Sequence, residues 1–137
     1  MAHSLSSSKA PRPVGAYPHA KRVGNLLFLS GVGPRKKGSK KIPGVTLSKN
    51  GEIVEYCIEK QCVSVFENIR CILEDCGSSW ENIIDVTVFL TNMKSDFETY
   101  NKLYANYFSS PFPSRTTVEI SCLPTPIAIE LKVIATI

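Results

Sequence analysis

The nine-residue run Ile127-Ala128-Ile129-Glu130-Leu131-Lys132-Val133-Ile134-Ala135 limits the possible folds more than any other part of the chain. Strict alternation puts Ile127, Ile129, Leu131, Val133 and Ala135 on one face of a strand, apolar from end to end. The other face carries Ala128, Glu130, Lys132 and Ile134, part apolar and part charged. Such a strand belongs inside a sheet with two covered faces, one of them a core. The second face suits a subunit interface with polar pockets, which implies a homo-oligomer. A carboxylate in this run is costly to bury unless something pairs with it. Arg115 opens another β-rich segment, Arg115-Thr116-Thr117-Val118-Glu119-Ile120. Two readings follow. The pair is a structural ion bridge between strands, or it forms two arms of a small-molecule site, a guanidinium fork for a carboxylate and an acid for proton transfer.

The rest of the chain supplies the layers around these strands. Three prolines in the first 20 residues (Pro11, Pro13, Pro18) favour extended structure. Val23-Gly24-Asn25 predicts a turn, and Leu26-Leu27-Phe28-Leu29-Ser30 a short buried strand closed by Gly31-Val32-Gly33-Pro34. The Gly-x-Gly here leads into proline and a basic loop rather than a helix, so it is no dinucleotide fingerprint. Residues 35–51 read as a surface loop with a short strand near Val45. Ile58, Cys62, Val65, Phe66, Ile69, Ile72 and Leu73 recur at three- and four-residue steps, an apolar helical stripe that Gly77 ends. Gln61 and Asn68 fall largely off that stripe. Ser78-Ser79-Trp80-Glu81 offers a capping pattern for one short turn. The segment 84–91 alternates, with Ile84, Val86, Val88 and Leu90 toward a core. Ser95 and Glu98 form a second capping box, launching a helix with Phe97, Tyr100 and Tyr104 on one side, stopped by Pro111 and Pro113. Strands at roughly 115–121 and 127–136 complete the order β, β, α, β, α, β, β. Two helices cover one face of a mixed sheet, an α+β sandwich.

At 137 residues the chain is one domain, with residues 1–9 read as a flexible tail and 10–137 as the folded unit. No apolar run reaches the ~20 residues needed to cross a bilayer. The N-terminus lacks the apolar centre of a secretory signal, so the chain reads as cytoplasmic; its Ser-rich, acid-free start leaves organellar targeting open. Five cysteines, Cys57, Cys62, Cys71, Cys76 and Cys122, fit no zinc spacing and read as reduced core thiols. With only His3 and His19 in the chain, neither near a cysteine, a metal site and a Cys-His hydrolase are both disfavoured. His19 reads as a surface or interface residue rather than a base. Much of the net charge of +4 comes from Arg35-Lys36-Lys37-Gly38-Ser39-Lys40-Lys41. Without interleaved aromatics this is a solvated loop or an attractor of anionic metabolites, and only weakly a nucleic-acid surface.

Taken in order, Gly15-Ala16-Tyr17, Leu29-Ser30-Gly31, Val86-Thr87-Val88-Phe89-Leu90, Asp96-Phe97 with Asn101 and Tyr104, Phe112-Pro113-Ser114-Arg115-Thr116-Thr117-Val118-Glu119, Leu123-Pro124 and Ile129-Glu130 resemble the reactive intermediate deaminase (Rid, YjgF-like) family. Tyr17-Pro18-His19-Ala20-Lys21-Arg22-Val23-Gly24, Gly31-Val32-Gly33-Pro34-Arg35 and Ile42-Pro43-Gly44-Val45 look most like its 2-aminomuconate deaminase branch. The resemblance implies a chorismate-mutase-like fold, a six-stranded mixed sheet with two helices on one face. It implies a homotrimer with sheets facing inward and sites in clefts between subunits. It also implies hydrolysis of an imine or enamine carboxylate to a 2-oxo acid and ammonia, with no metal or organic cofactor. Carried across, Arg115 grips the substrate carboxylate and Glu130 holds the attacking water or moves its proton. Tyr17 and Asn101 line the pocket, with Ser30 and Gly31 at its floor and Thr117 beside the arginine. Many relatives acting on small amino-acid-derived imines have Gln where this chain has Val32, and Cys or Ala where it has Thr117. The basic loop then favours a dicarboxylate such as 2-aminomuconate over 2-iminobutanoate or 2-iminopropanoate. The competing readings are a ribonuclease-like RNA-binding translation inhibitor and a non-catalytic chaperone-like trimer.

Overall fold

The computed structural model describes residues 1–137. The chain runs β1 (Ala2–Leu5), β2 (Ala20–Val23), β3 (Leu26–Leu29), β4 (Val45–Leu47), β5 (Ile53–Tyr56), α1 (Ile58–Asp75), β6 (Ile83–Leu90), α2 (Met93–Tyr107), β7 (Ser114–Glu119) and β8 (Ile129–Thr136), with a 3₁₀ turn at Trp80–Asn82. Six strands form one mixed sheet in the order β1-β2-β3-β8-β6-β7, and β4 and β5 form a separate hairpin. Only β6 and β7 run parallel, with α2 as their crossover. This is the six-stranded, two-helix α+β architecture expected.

β8 sits inside the sheet, as its alternation requires. Ile129, Leu131, Val133 and Ala135 are fully buried against both helices, in one core with Val65, Phe66, Ile69 and Leu73 of α1 and Tyr100 of α2. Replacing Leu131 with Ala leaves a cavity no neighbour can fill from a sheet centre. We expect a loss of ~3 kcal/mol, read as a lower urea midpoint at unchanged slope. Helix α1 ends as the sequence implies: Gly77 takes φ +83°, Ser78 N donates to Leu73 O and Gly77 N to Glu74 O, a Schellman closure. Gly24, at φ +58°, opens a two-residue loop between the paired Val23 and Leu26.

Several expectations need correction. Residues 1–9 are not a loose tail: Ala2–Leu5 pair antiparallel with β2, Ala2 opposite Val23 and Leu5 opposite Ala20. The free edge of β2 offers backbone groups that any sequence can bond, so the polar, Ser-rich composition gives no warning. Beyond the strand, Ser7 Oγ donates to Asp75 Oδ2 at 2.6 Å, and Ser7 N donates to His19 Nδ1 at 2.9 Å. His19 is accordingly buried within this junction rather than at the surface. In β6 the register slips between Ile83 and Asp85, so Ile83 is buried at 6% exposure while Ile84 stands out at 43%. Helix α2 is capped by the Asn92 side chain, which accepts from Ser95 N, not by Ser95. The turn at Trp80 has no side-chain cap. Only Cys62 and Cys76 are core thiols; Cys57 and Cys122 are exposed and Cys71 is half-buried.

Candidate functional site

Glu130 projects from the face of β8 opposite the core, level with Phe89 of β6. Beside it the chain leaving β3 continues as an extra rung, with Val32 N donating to Leu131 O and Leu131 N to Val32 O. This lays Gly31 directly under the acid: a Cβ at position 31 would lie 2.6 Å from Glu130 Oε2. The glycine is therefore what lets the carboxylate rest there. Burial alone pushes the Glu130 carboxyl above its ordinary value of 4.5. Lys132, two residues on and on the same face, does not pair with it; its ammonium donates to Leu29 O at 2.7 Å.

Ser30 Oγ donates to Pro18 O at 2.7 Å and Ser30 N donates to His19 O, joining the Tyr17 segment to the Gly31 floor. Tyr17 is 40% exposed, and its hydroxyl accepts from Val14 N. Tyr17, Ser30 and Gly31 line a cavity of about 40 Å³, room for a water or two and too small for a metabolite. Polar groups on α1 hold this half of the site. Asn68 Nδ2 donates to Gly33 O and Arg35 O, Ser64 Oγ donates to Pro34 O, and Gln61 Oε1 accepts from Ala128 N. All three are buried, contrary to the reading of Gln61 and Asn68 as off-stripe residues. The spacing 61, 64, 68 on one helical face was the available signal; it was masked because polar residues on a face are counted as solvent-facing.

Arg115 stands elsewhere. On the edge strand β7 it pairs with Val86, a core-facing residue of β6, so it points to the helix side of the sheet. Its Nη1 donates to Asn101 Oδ1 at 2.9 Å, and its Cζ lies 4.7 Å from the centre of the Tyr104 ring and 5.3 Å from that of Tyr100. Thr117, on the same side, shares a 2.9 Å hydrogen bond with the Tyr100 hydroxyl. The guanidinium is exposed and keeps further donors for a ligand.

The sequence-predicted residues thus fall into two groups: Tyr17, Ser30, Gly31 and Glu130, and Asn101, Arg115 and Thr117. One strand separates β8 from β7, and the two charges lie on opposite faces of the sheet. They do not meet within a protomer, so they form no ion pair between strands of one chain; the ion pairs there are Lys9–Asp75 and Lys102–Glu98. Lys36, Lys37, Lys40 and Lys41 line a separate open cavity of about 820 Å³ against Val45–Leu47. No three His, Cys, Asp or Glu side chains converge to hold a metal, and no helix is long and apolar enough to cross a membrane.

A mixed six-stranded sheet backed by two helices, with an acid on its open face and an exposed arginine on its edge strand, is the architecture of a small class of α+β proteins. The family described as Endoribonuclease L-PSP matches residues 7–137, and the chain belongs to that family, the Rid or YjgF-like family of the sequence resemblance. A RutC family protein of Pyrococcus abyssi is 38% identical over 131 residues, 96% of this chain and 94% of its own. The chloroplastic Reactive Intermediate Deaminase A of Arabidopsis thaliana is 35% identical over 133 residues, 97% of this chain and 65% of its own. Among solved structures, Escherichia coli TdcF with bound serine superposes with a TM-score of 0.83 at 27% identity, covering 98% of each chain.

Proposed function

We propose that the chain is a hydrolytic deaminase of imine or enamine carboxylates, needing no metal or organic cofactor and working in clefts between the subunits of a homotrimer. The observation that carries this reading is the division of the site. Each protomer displays a carboxylate poised over Gly31 on one face and a ligand-ready guanidinium on the other, so two copies are required to bring them together. The deaminase named among its relatives and the amino acid bound in TdcF support the same chemistry.

Arg115 accepts the substrate carboxylate on its open fork, which fixes the adjacent C=N carbon. An enamine first takes a proton on carbon to become the iminium. Glu130 holds a water against that carbon and accepts its proton as the C–O bond forms. The Glu130 carboxyl then protonates the nitrogen of the resulting carbinolamine. As the C–N bond breaks the regenerated carboxylate takes the hydroxyl proton, so that the C=O of the 2-oxo acid forms, ammonia leaves, and that proton passes on to ammonia as ammonium. Glu130 must be ionised to take the proton from water. Its raised pKa therefore places the acid limb of kcat/KM above pH 4.5, and Glu130→Gln removes that limb with most of the activity.

The finer reading is 2-aminomuconate as substrate in the cytoplasm, supported by the four lysines of the open cavity and by Val32 and Thr117 at positions where relatives handling small imines differ. The test is ammonia release from 2-aminomuconate, 2-iminopropanoate and 2-iminobutanoate, each generated in situ. Neutralising Lys36, Lys37, Lys40 and Lys41 together should raise KM for the dicarboxylate about tenfold and leave the monocarboxylates unchanged. An unchanged KM for all three removes the loop from the site. The same lysines favour a second reading, RNA binding; affinity for RNA that falls steeply with salt and survives Arg115→Ala would mark it.

A further inference from the structure

We infer that Tyr104 is a positioning residue for the Arg115 fork, acting through the face of its ring and not through its hydroxyl. The inference rests on reading Arg115 as the carboxylate grip. An arginine on an exposed edge strand has rotamer entropy to lose when it takes a ligand. Here that freedom is removed beforehand. The guanidinium caps an aromatic column on one face of α2: it lies 4.7 Å from the Tyr104 centroid, and Tyr104 stacks on Phe108 at 4.2 Å and 24°. Tyr100 meets Tyr104 edge-on at 6.0 Å, and its hydroxyl ties the column to Thr117, two residues from Arg115 on the same strand. Tyr100, Tyr104 and Phe108 are buried, so the platform under the arginine belongs to the core and does not move with the surface. Asn101 fixes one edge of the fork, the ring fixes its plane, and the remaining donors are left facing outward. A fork held in this way binds a carboxylate without ordering cost.

The hydroxyl has no part in this. Tyr104 Oη is buried without a hydrogen-bond partner, and burial pushes its pKa up to about 12, so it remains a neutral, unused donor. Removing it deletes an orphaned polar atom and nothing else.

The test compares three variants, Tyr104→Phe, Tyr104→3,4,5-trifluorophenylalanine and Tyr104→Leu, with 2-iminopropanoate generated in situ for turnover and pyruvate for calorimetric binding. Tyr104→Phe keeps the ring face; KM and the pyruvate Kd stay within about twofold of wild type, and Tm does not fall. The fluorinated ring keeps the shape but loses its negative face, raising KM and Kd about fivefold with kcat within about twofold. Tyr104→Leu raises them about tenfold, but the fluorinated variant decides the matter if the leucine variant fails to fold. A fluorinated ring that behaves like Tyr104→Phe overturns the positioning role, as does a Tyr104→Phe loss equal to that of Leu. Failure of the underlying reading looks different: Arg115→Ala would then keep both pyruvate binding and turnover.

Discussion

Subunits carrying Arg115→Ala and subunits carrying Glu130→Gln should each be inactive alone, and co-refolding them in equal amounts should restore ammonia release to about a quarter of the wild-type rate. On the proposed mechanism each single variant should lose on the order of 1,000-fold in kcat/KM, one by losing the carboxylate grip, the other the water's base. The recovery follows from the sheet. Arg115 shares its side with Val86 and α2, Glu130 with Phe89 on the far side, and no rotamer brings them together across a packed layer. In the proposed trimer each cleft would draw its acid from one copy and its arginine from the next. Random assembly gives about one cleft in four with both groups intact. Plotted against mixing ratio, activity should trace a parabola that peaks at equal amounts and vanishes at both ends. A flat line at the level of the single variants would mean that the two groups do not cooperate across an interface.

Gly31→Ala should cost about 100-fold in kcat while leaving KM and thermal stability close to wild type. The added methyl meets Glu130 Oε2 at 2.6 Å and Cδ at 2.9 Å, so the carboxylate must swing away from its seat. The backbone raises no objection, because Gly31 is not among the glycines with positive φ. Gly33→Ala is the control. Its methyl would press only on Ile127 Cδ1, the movable end of an aliphatic side chain, and activity should be kept. Equal losses in both variants would point to general damage of the Ser30–Pro34 segment, and no loss in Gly31→Ala would remove Glu130 from the chemistry.

The parts of this fold legible in the sequence are those where one residue pattern dictates one geometry. β8 could be read because its period-two apolar face has no helical alternative, and the end of α1 because Gly77 alone relieves the left-handed turn. The slip at Ile83–Asp85 could not, since a bulge is a backbone choice that leaves composition untouched. The strand at Ala2–Leu5 escaped for a related reason: it is held by ladder hydrogen bonds and carries no apolar signature. Arg115 and Glu130 both stand out in the sequence as charges in β-rich segments, but their placement on opposite faces depends on the parallel register of β7 against β6, which no local pattern encodes. Gln61, Ser64 and Asn68 were missed because their worth lies in carbonyls and amides far away in sequence.

The aromatic column under Arg115 and the glycine under Glu130 belong to separate pieces of chain, braced by different helices. If the proposed roles hold, changes in α2 and the strand edge would retune which acid is held without disturbing how water is delivered. A lineage built this way can diversify its diet while conserving its kitchen.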